Sequence, residues 1–255
     1  MSALLSVEGL SLSFGGVDAL SGISLEIDQG ALFAVIGPNG AGKTSFFNCL
    51  TGYYRPTAGS VLLGGTDITR RPVAEVAALG IRRTFQNVRV FPGISARENV
   101  LAGAHLRAPA GWLGTLLGTP GTRARERALA AEAEGWLEYV GLADKAEVLA
   151  GELPYGMRKR LEVARALIAR PRMLLLDEPA AGVSSVEREE LASVIRRTWQ
   201  SGVTIVMIEH DVELVMQLAS SVAVLDRGRL LVTGEPESVR NDPRVREAYL
   251  GRKKR

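Results

Sequence analysis

The chain has 255 residues, 46% of them apolar, and a formal net charge of only +3. That is enough apolar sequence for a sizeable core in one domain, or in a domain with a lobe, and too little charge for the whole chain to act as a nucleic-acid binder. Cys49 is the single cysteine, which excludes an intramolecular disulfide and suits a reducing compartment.

The first ten residues, MSALLSVEGL, carry neither a basic n-region nor a long apolar stretch, so no signal peptide is expected. "LLSVEGLSLSFG", "ALSGISLEID" and "AGSVLLGG" predict antiparallel strands joined by turns. Between the second and third of these lies "ALFAVIG" (31–37), a continuous apolar run of the kind that fills a parallel sheet covered on both faces. It leads into "GPNGAGKTS": Gly37, Pro38, Asn39, Gly40, Ala41, Gly42, Lys43, Thr44 and Ser45. Gly37, Gly42, Lys43 and Thr44 match G-x-x-x-x-G-K-[ST], and the run sits between a strand and a helix expected over 43–50, as that motif requires. Inward-turned N–H groups and the helix dipole cradle phosphate. Lys43 is expected on the β- and γ-phosphates and the Thr44 hydroxyl on Mg²⁺.

"IRRTFQNVRVF" brings Gln86 to the point where the core hands over to a different region. Its amide is a candidate for contact with Mg²⁺ or an attacking water. From Ser95 to Gly151 no strand is expected. "SARENVLAGA" and "RARERALAAEAEGWLEYVGL" are helical in period and propensity. Between them the glycine- and proline-rich 108–122 cannot be a long regular element. "ELPYGMRKRLEVARAL" then opens a helix with Pro154, Tyr155 and Gly156 and loads its start with Arg158, Lys159 and Arg160. Positive charge beside a helix N-terminus is unfavourable, so an anion is expected there.

"MLLLD" (173–177), within "RMLLLDEP" (172–179), predicts a buried strand delivering Asp177 at its C-terminal end, where ligands bind in parallel sheets. Asp177 is the candidate for the Mg²⁺ shell and Glu178 the candidate general base or water-positioning group. Helices are expected over 157–169, 187–200 and 212–219. Further buried strands are expected at 202–209, which ends just before His210, and at 221–226. His210 is placed to sense a γ-phosphate; His105 has no partner motif. Phe14, in an N-terminal strand, is a candidate base-stacking residue. The apolar runs are far too short to cross a bilayer, so any membrane role is peripheral. The tail "GRKKR" (251–255) reads as a solvated basic terminus, with contact to anionic lipid headgroups or a partner as the alternative.

In order, Phe14, "GPNGAGKT", Gln86, "LPYGM", "MLLLDEP", "AAGVSS" and His210 resemble the motifs of an ABC-transporter nucleotide-binding domain, over nearly the whole chain. The resemblance implies an α/β fold: a P-loop NTPase core, mostly parallel sheet with helices on both faces, with an N-terminal antiparallel β subdomain and an inserted α-helical subdomain. Its divisions are about 1–87 and 166–255 for the core and about 88–165 for the helical part. It implies ATP and Mg²⁺ as cofactors and Phe14 as adenine platform. It implies a head-to-tail dimer with an identical or sister ATPase, in which Pro154, Tyr155 and Gly156 face the partner's nucleotide. That nucleotide is then the anion expected at the "LPYGM" helix. Pro154 stands where the family has a hydroxyl-bearing serine, and Ser184 where it usually has aspartate.

"DEPAAGV", "IEHDVELVM" and "NDPRVREAYLG" are similar to ATP-binding subunits of branched-chain amino acid importers; urea or amide importers are close relatives. The resemblance further implies permease subunits as partners, a substrate-binding protein acting indirectly, and the cytoplasmic face of the inner membrane. A soluble ABC-type protein acting on nucleic acid or ribosomes usually has tandem domains or a coiled-coil insertion, and neither is visible. A non-hydrolysing switch is disfavoured by the presence of both Glu178 and His210.

Overall fold

The structure is a computed structural model that describes residues 3–105 and 120–250. These residues form two compact units. One holds the described residues up to Arg83, Arg172–Ala180 and those from Ile195 onward; the other holds Thr84–Pro171 and Ala181–Val194.

The first unit contains two sheets. Strands β1 (Ala3–Phe14), β2 (Val17–Asp28), β4 (Ala58–Leu63) and β5 (Thr66–Asp67) pair antiparallel in the order β2-β1-β4-β5. Ile23, Leu25 and Ile27 of β2 alternate with exposed residues, the pattern of a sheet with one wet face. The second sheet has the order β10-β9-β3-β8-β7-β6. Its strands are β3 (Leu32–Ile36), β6 (Ile81–Arg83), β7 (Met173–Asp177), β8 (Thr204–Ile208), β9 (Ser221–Asp226) and β10 (Arg229–Gly234). All pairs are parallel except β9–β10. Every residue of β3, β7 and β8 is buried, which explains their unbroken apolar runs. Val35 and Asp177 both pair with Ile208, so β3, β7 and β8 end level, at one edge of the sheet.

Helices α1 (Lys43–Leu50), α2 (Val73–Ala78), α7 (Val212–Leu218), α8 (Pro236–Asn241) and α9 (Pro243–Leu250) complete this unit. Phe46 and Phe47 of α1 are fully buried in a core that also takes Leu5 and Val61 from the first sheet and Leu175 and Val206 from the second. Burying each phenylalanine contributes about 2 kcal/mol.

The second unit is helical: α3 (Ala96–Gly103), α4 (Pro120–Tyr139), α5 (Tyr155–Leu167) and the start of α6 (Ser185–Gln200), with short 3₁₀ turns at Ala143–Lys145 and Ala150–Glu152. α3 begins with a full capping box between Ser95 and Glu98, the device its "S-x-x-E" spells. Asn99, wholly buried, accepts the Phe91 N–H at 2.8 Å and donates to the Phe91 and Ser95 carbonyls at 3.0 Å each, fastening the approach to the helix. The only β pairing among the described residues of 95–151 is one isolated bridge between Ser95 and Leu149. Of the 108–122 segment, residues 120–122 open α4; the rest lies outside the described residues, as does the 251–255 tail. Among the described residues no helix is long and apolar enough to cross a membrane.

Candidate functional site

β3 hands over to α1 through Gly37–Gly42. Gly37 has φ 151° and Gly42 φ 100°. A Cβ on Gly37 would overlap the Leu225 carbonyl, and one on Gly42 would lie 2.6 Å from the Ala19 carbonyl. Only glycine fits either place. The loop borders a cleft of about 230 Å³ lined by Ala19, Asn39, Gly40, Ala41, Gly42, Lys43, Thr44, Ser45 and Glu178. Lys43 is buried, and its ammonium donates to the Gly37 carbonyl at 2.7 Å and the Pro38 carbonyl at 3.0 Å. Burial pushes its pKa down, against the pull of Glu178 and Asp177. A helix N-terminus, glycine-permitted backbone donors and a buried cation make a phosphate-binding surface. Phe14 lies outside this lining. It is half-exposed at the end of β1 and meets Tyr54 edge-to-face, with ring centroids 5.1 Å apart.

Asp177 ends β7, buried. Its Oδ2 is 2.6 Å from Nη2 of Arg83, whose Nη1 donates to Asn48 Oδ1 at 2.6 Å and whose guanidinium lies 5.5 Å from the Phe47 ring centroid. The carboxylate expected to face Mg²⁺ therefore carries a standing cation of the chain's own. Glu178 follows with φ 48°, a left-handed conformation unusual for a residue with a Cβ and frequent at working sites. Its N–H donates to the Ile208 carbonyl at 2.9 Å, which binds the end of β7 to the end of β8. His210 lies two residues past β8, and its Nδ1 is 3.9 Å from Glu178 Oε2. That is beyond hydrogen-bond range. One sheet edge thus gathers Lys43, Thr44, Asp177, Glu178 and His210.

The helical unit gathers Gln86 with Pro154, Tyr155 and Gly156. Pro154 is the N-cap of α5, at φ −52° and ψ 153°, where its missing N–H is harmless. The Gln86 carbonyl accepts from the Lys159 ammonium at 2.9 Å and from the Tyr155 hydroxyl at 3.5 Å. Arg160 donates to the Val140 carbonyl at 3.0 Å and pairs with Glu190 at 3.1 Å. The mouth of α5 is met by Glu187 from α6: the Gly156 N–H donates to its carboxylate, and a Cβ on Gly156 would overlap that carboxylate. Glu187 Oε2 also accepts the Ser184 N–H at 3.0 Å and the Ser184 hydroxyl at 2.8 Å. These bonds hold the Glu187 carboxyl below the usual glutamate range, with the Ser184 N–H the largest cause. The basic residues at the start of α5 call for an anion there. In this structure the chain supplies a carboxylate there, and Ser184 serves α6 as its N-cap.

A family model described as ABC transporter matches residues 20–181. The chain belongs to the ABC transporter family. A second model, described as branched-chain amino acid ATP-binding cassette transporter, matches residues 229–254. Among the most similar curated proteins is the high-affinity branched-chain amino acid transport ATP-binding protein BraF of Pseudomonas aeruginosa, 43% identical over 97% of this chain and 98% of that protein. LivG of Escherichia coli, with the same description, is 42% identical over the same shares. A solved nucleotide-free ATP-binding cassette from an ABC transporter superposes with a TM-score of 0.85 at 30% identity, covering 98% of this chain and all of that one. The ADP conformation of an ABC-transporter cassette gives 0.84 at 29% identity, with the same coverage. As an ABC ATP-binding cassette, the chain binds ATP and hydrolyses it to power transport.

Sequence reasoning missed four residues of this ABC cassette's sites. Arg83 and Asn48 left only a basic residue at a strand end and an amide inside a helix as signals. Glu187 was legible as the end of "S-x-x-E" but not as a visitor to α5. Glu209 showed as an acid continuing the apolar run of β8, and it is wholly buried.

Proposed function

We propose that the chain is the ATP-hydrolysing subunit of an importer of branched-chain or other hydrophobic amino acids. It docks on transmembrane permease subunits at the cytoplasmic face of the membrane. There it pairs head-to-tail with a second ATPase, identical or a sister chain, while a substrate-binding protein delivers the cargo. The observation that carries the ATPase chemistry is the meeting of a glycine-built phosphate cleft with Asp177, Glu178 and His210 at one sheet edge. The names and coverage of BraF and LivG support the cargo class.

In this reading the loop N–H groups and Lys43 bind the ATP phosphates, Lys43 leaving its loop carbonyls for the stronger anion. The Thr44 hydroxyl and the Asp177 carboxylate, once released by Arg83, would hold Mg²⁺, since hard cations of this size favour such oxygens and take phosphates as further ligands; the Gln86 amide is the further candidate that the sequence offers. When bound, the cation neutralises charge on the β- and γ-phosphates. Glu178 orients the attacking water and takes its proton, and His210 contacts the γ-phosphate. Phe14 stacks on adenine. Pro154, Tyr155 and Gly156 present the start of α5 to the partner's nucleotide. The helical part, about 88–165, carries the permease contact.

Glu178→Gln tests the chemistry. ATP affinity should stay, turnover should fall about 10²–10⁴-fold, and an ATP-bound dimer should accumulate, with the sister chain added if required. Turnover at the wild-type rate would remove Glu178 from its role. Loss of labelled leucine uptake in a strain lacking the gene tests the cargo; uptake that persists would redirect the proposal to another solute.

A further inference from the structure

We propose that Glu209 is a positioning residue for ATP hydrolysis: its buried carboxylate ties the segment leaving Glu178 to the segment carrying His210. The proposal rests on the roles given above to those two residues.

Glu209 follows β8 directly, and its side chain is 0% exposed. Oε1 accepts the N–H of Ala180, two residues beyond Glu178, at 2.8 Å. Oε2 accepts the His210 N–H at 3.2 Å, and the Asp211 N–H also bonds to the carboxylate. One side chain thus collects backbone donors from both segments. An ionised carboxylate is purely an acceptor, so its two oxygens can face donors on two sides at once. Burial pushes its pKa up, opposed first by the Ala180 N–H and then by the His210 N–H.

Packing does not explain a glutamate here. β8 is otherwise Thr204–Ile208, completely buried, and an apolar sixth residue would extend that burial without desolvating a carboxylate. The bond from the Glu178 N–H to the Ile208 carbonyl already joins the two strand ends. Glu209 fixes the next residues outward, which the ladder no longer reaches. The His210 side chain is 59% exposed, and both carboxylates near its Nδ1 are 3.9 Å away. Its imidazole is therefore aimed by its backbone, and that backbone is held by Glu209.

The test uses the full chain with Glu209→Gln, His210→Ala and the double variant, measuring steady-state hydrolysis and ATP affinity. Glutamine keeps the size and one acceptor but turns an NH₂ group toward backbone donors. Glu209→Gln should lower kcat about 10- to 100-fold, the scale of a misplaced working group. KM and ATP affinity should stay within about twofold. The double variant should be no slower than His210→Ala alone, because both act through one group. Unchanged kcat in Glu209→Gln beside an impaired His210→Ala overturns the proposal, as do multiplying effects in the double variant or a parallel loss of ATP affinity. Full turnover in His210→Ala overturns the role of His210 itself, and this proposal with it. If Glu209→Gln fails to fold, Glu209→Asp takes its place: it keeps the charge, reaches only one segment, and carries the same expected and overturning results.

Discussion

The starts of α1 and α5 face the same physical problem and meet it differently. Neither helix has an acidic residue in its own first turn, so neither meets its first N–H groups and the positive end of its dipole with a carboxylate of its own. At α1 the loop glycines hold backbone and ammonium around an open cleft of about 230 Å³. At α5 the Glu187 carboxylate of α6 is already bonded to the Gly156 N–H. An anion-attracting helix start is therefore not by itself an open site; what decides is whether the fold brings a carboxylate to it. Under the proposed head-to-tail pairing, a phosphate reaching α5 competes with Glu187.

The largest break in this comparison is at α1. Lys43→Ala removes the buried cation, and a hydrogen bond to a charged group contributes about 1.5–3 kcal/mol. ATP affinity should therefore fall roughly 10- to 100-fold by calorimetry. An unchanged affinity would mean that the loop carbonyls, not phosphate, are the lysine's true partners.

Gly156→Asp attacks the other start. Its Cβ cannot fit beside Glu187, and its carboxylate adds a second negative charge there. ATP binding by the monomer should survive, while ATP-driven dimerisation in the Glu178→Gln background weakens about tenfold or more, since juxtaposed like charges cost several kcal/mol. Sedimentation with and without ATP reads both. Dimerisation equal to that of the parent would remove the start of α5 from the interface.

The two starts were also unequally legible. The phosphate loop is local: nine consecutive residues carry it, and the strand before it is apolar because it is buried on both faces. β7 and α1 match their expected spans for the same reason. β10 and the helices α8 and α9 were missed because they are short and partly exposed. The pair Arg83–Asp177 joins residues 94 apart in sequence, and no spacing rule announces such a contact. Glu187 was half visible. Its capping box is a four-residue pattern, but its bond to Gly156 depends on how α5 and α6 pack.

Ser184→Ala gives the smallest effect and the sharpest reading of how α5 is closed. The Ser184 hydroxyl accepts the Glu187 N–H at 3.3 Å and donates to Glu187 Oε2 at 2.8 Å. Alanine removes both bonds while sparing the Ser184 N–H, so α6 loses its side-chain cap. Such a loss costs about 1 kcal/mol, which in a chain of this size lowers the melting temperature by roughly 2–4 °C. The pH dependence follows from the depressed Glu187 carboxyl. Its stabilisation is complete above the ordinary glutamate pKa of about 4.3 and is lost as pH falls through the lower folded value. The gap between wild type and variant should therefore be full at pH 7 and narrow in acid, where protonation disrupts the same box in both proteins. ATP affinity should not change, because the α1 start has no share in this contact. A gap that stays constant into acid would show that Ser184 caps α6 independently of the Glu187 charge. The carboxylate at the mouth of α5 would then be held by its backbone donors alone.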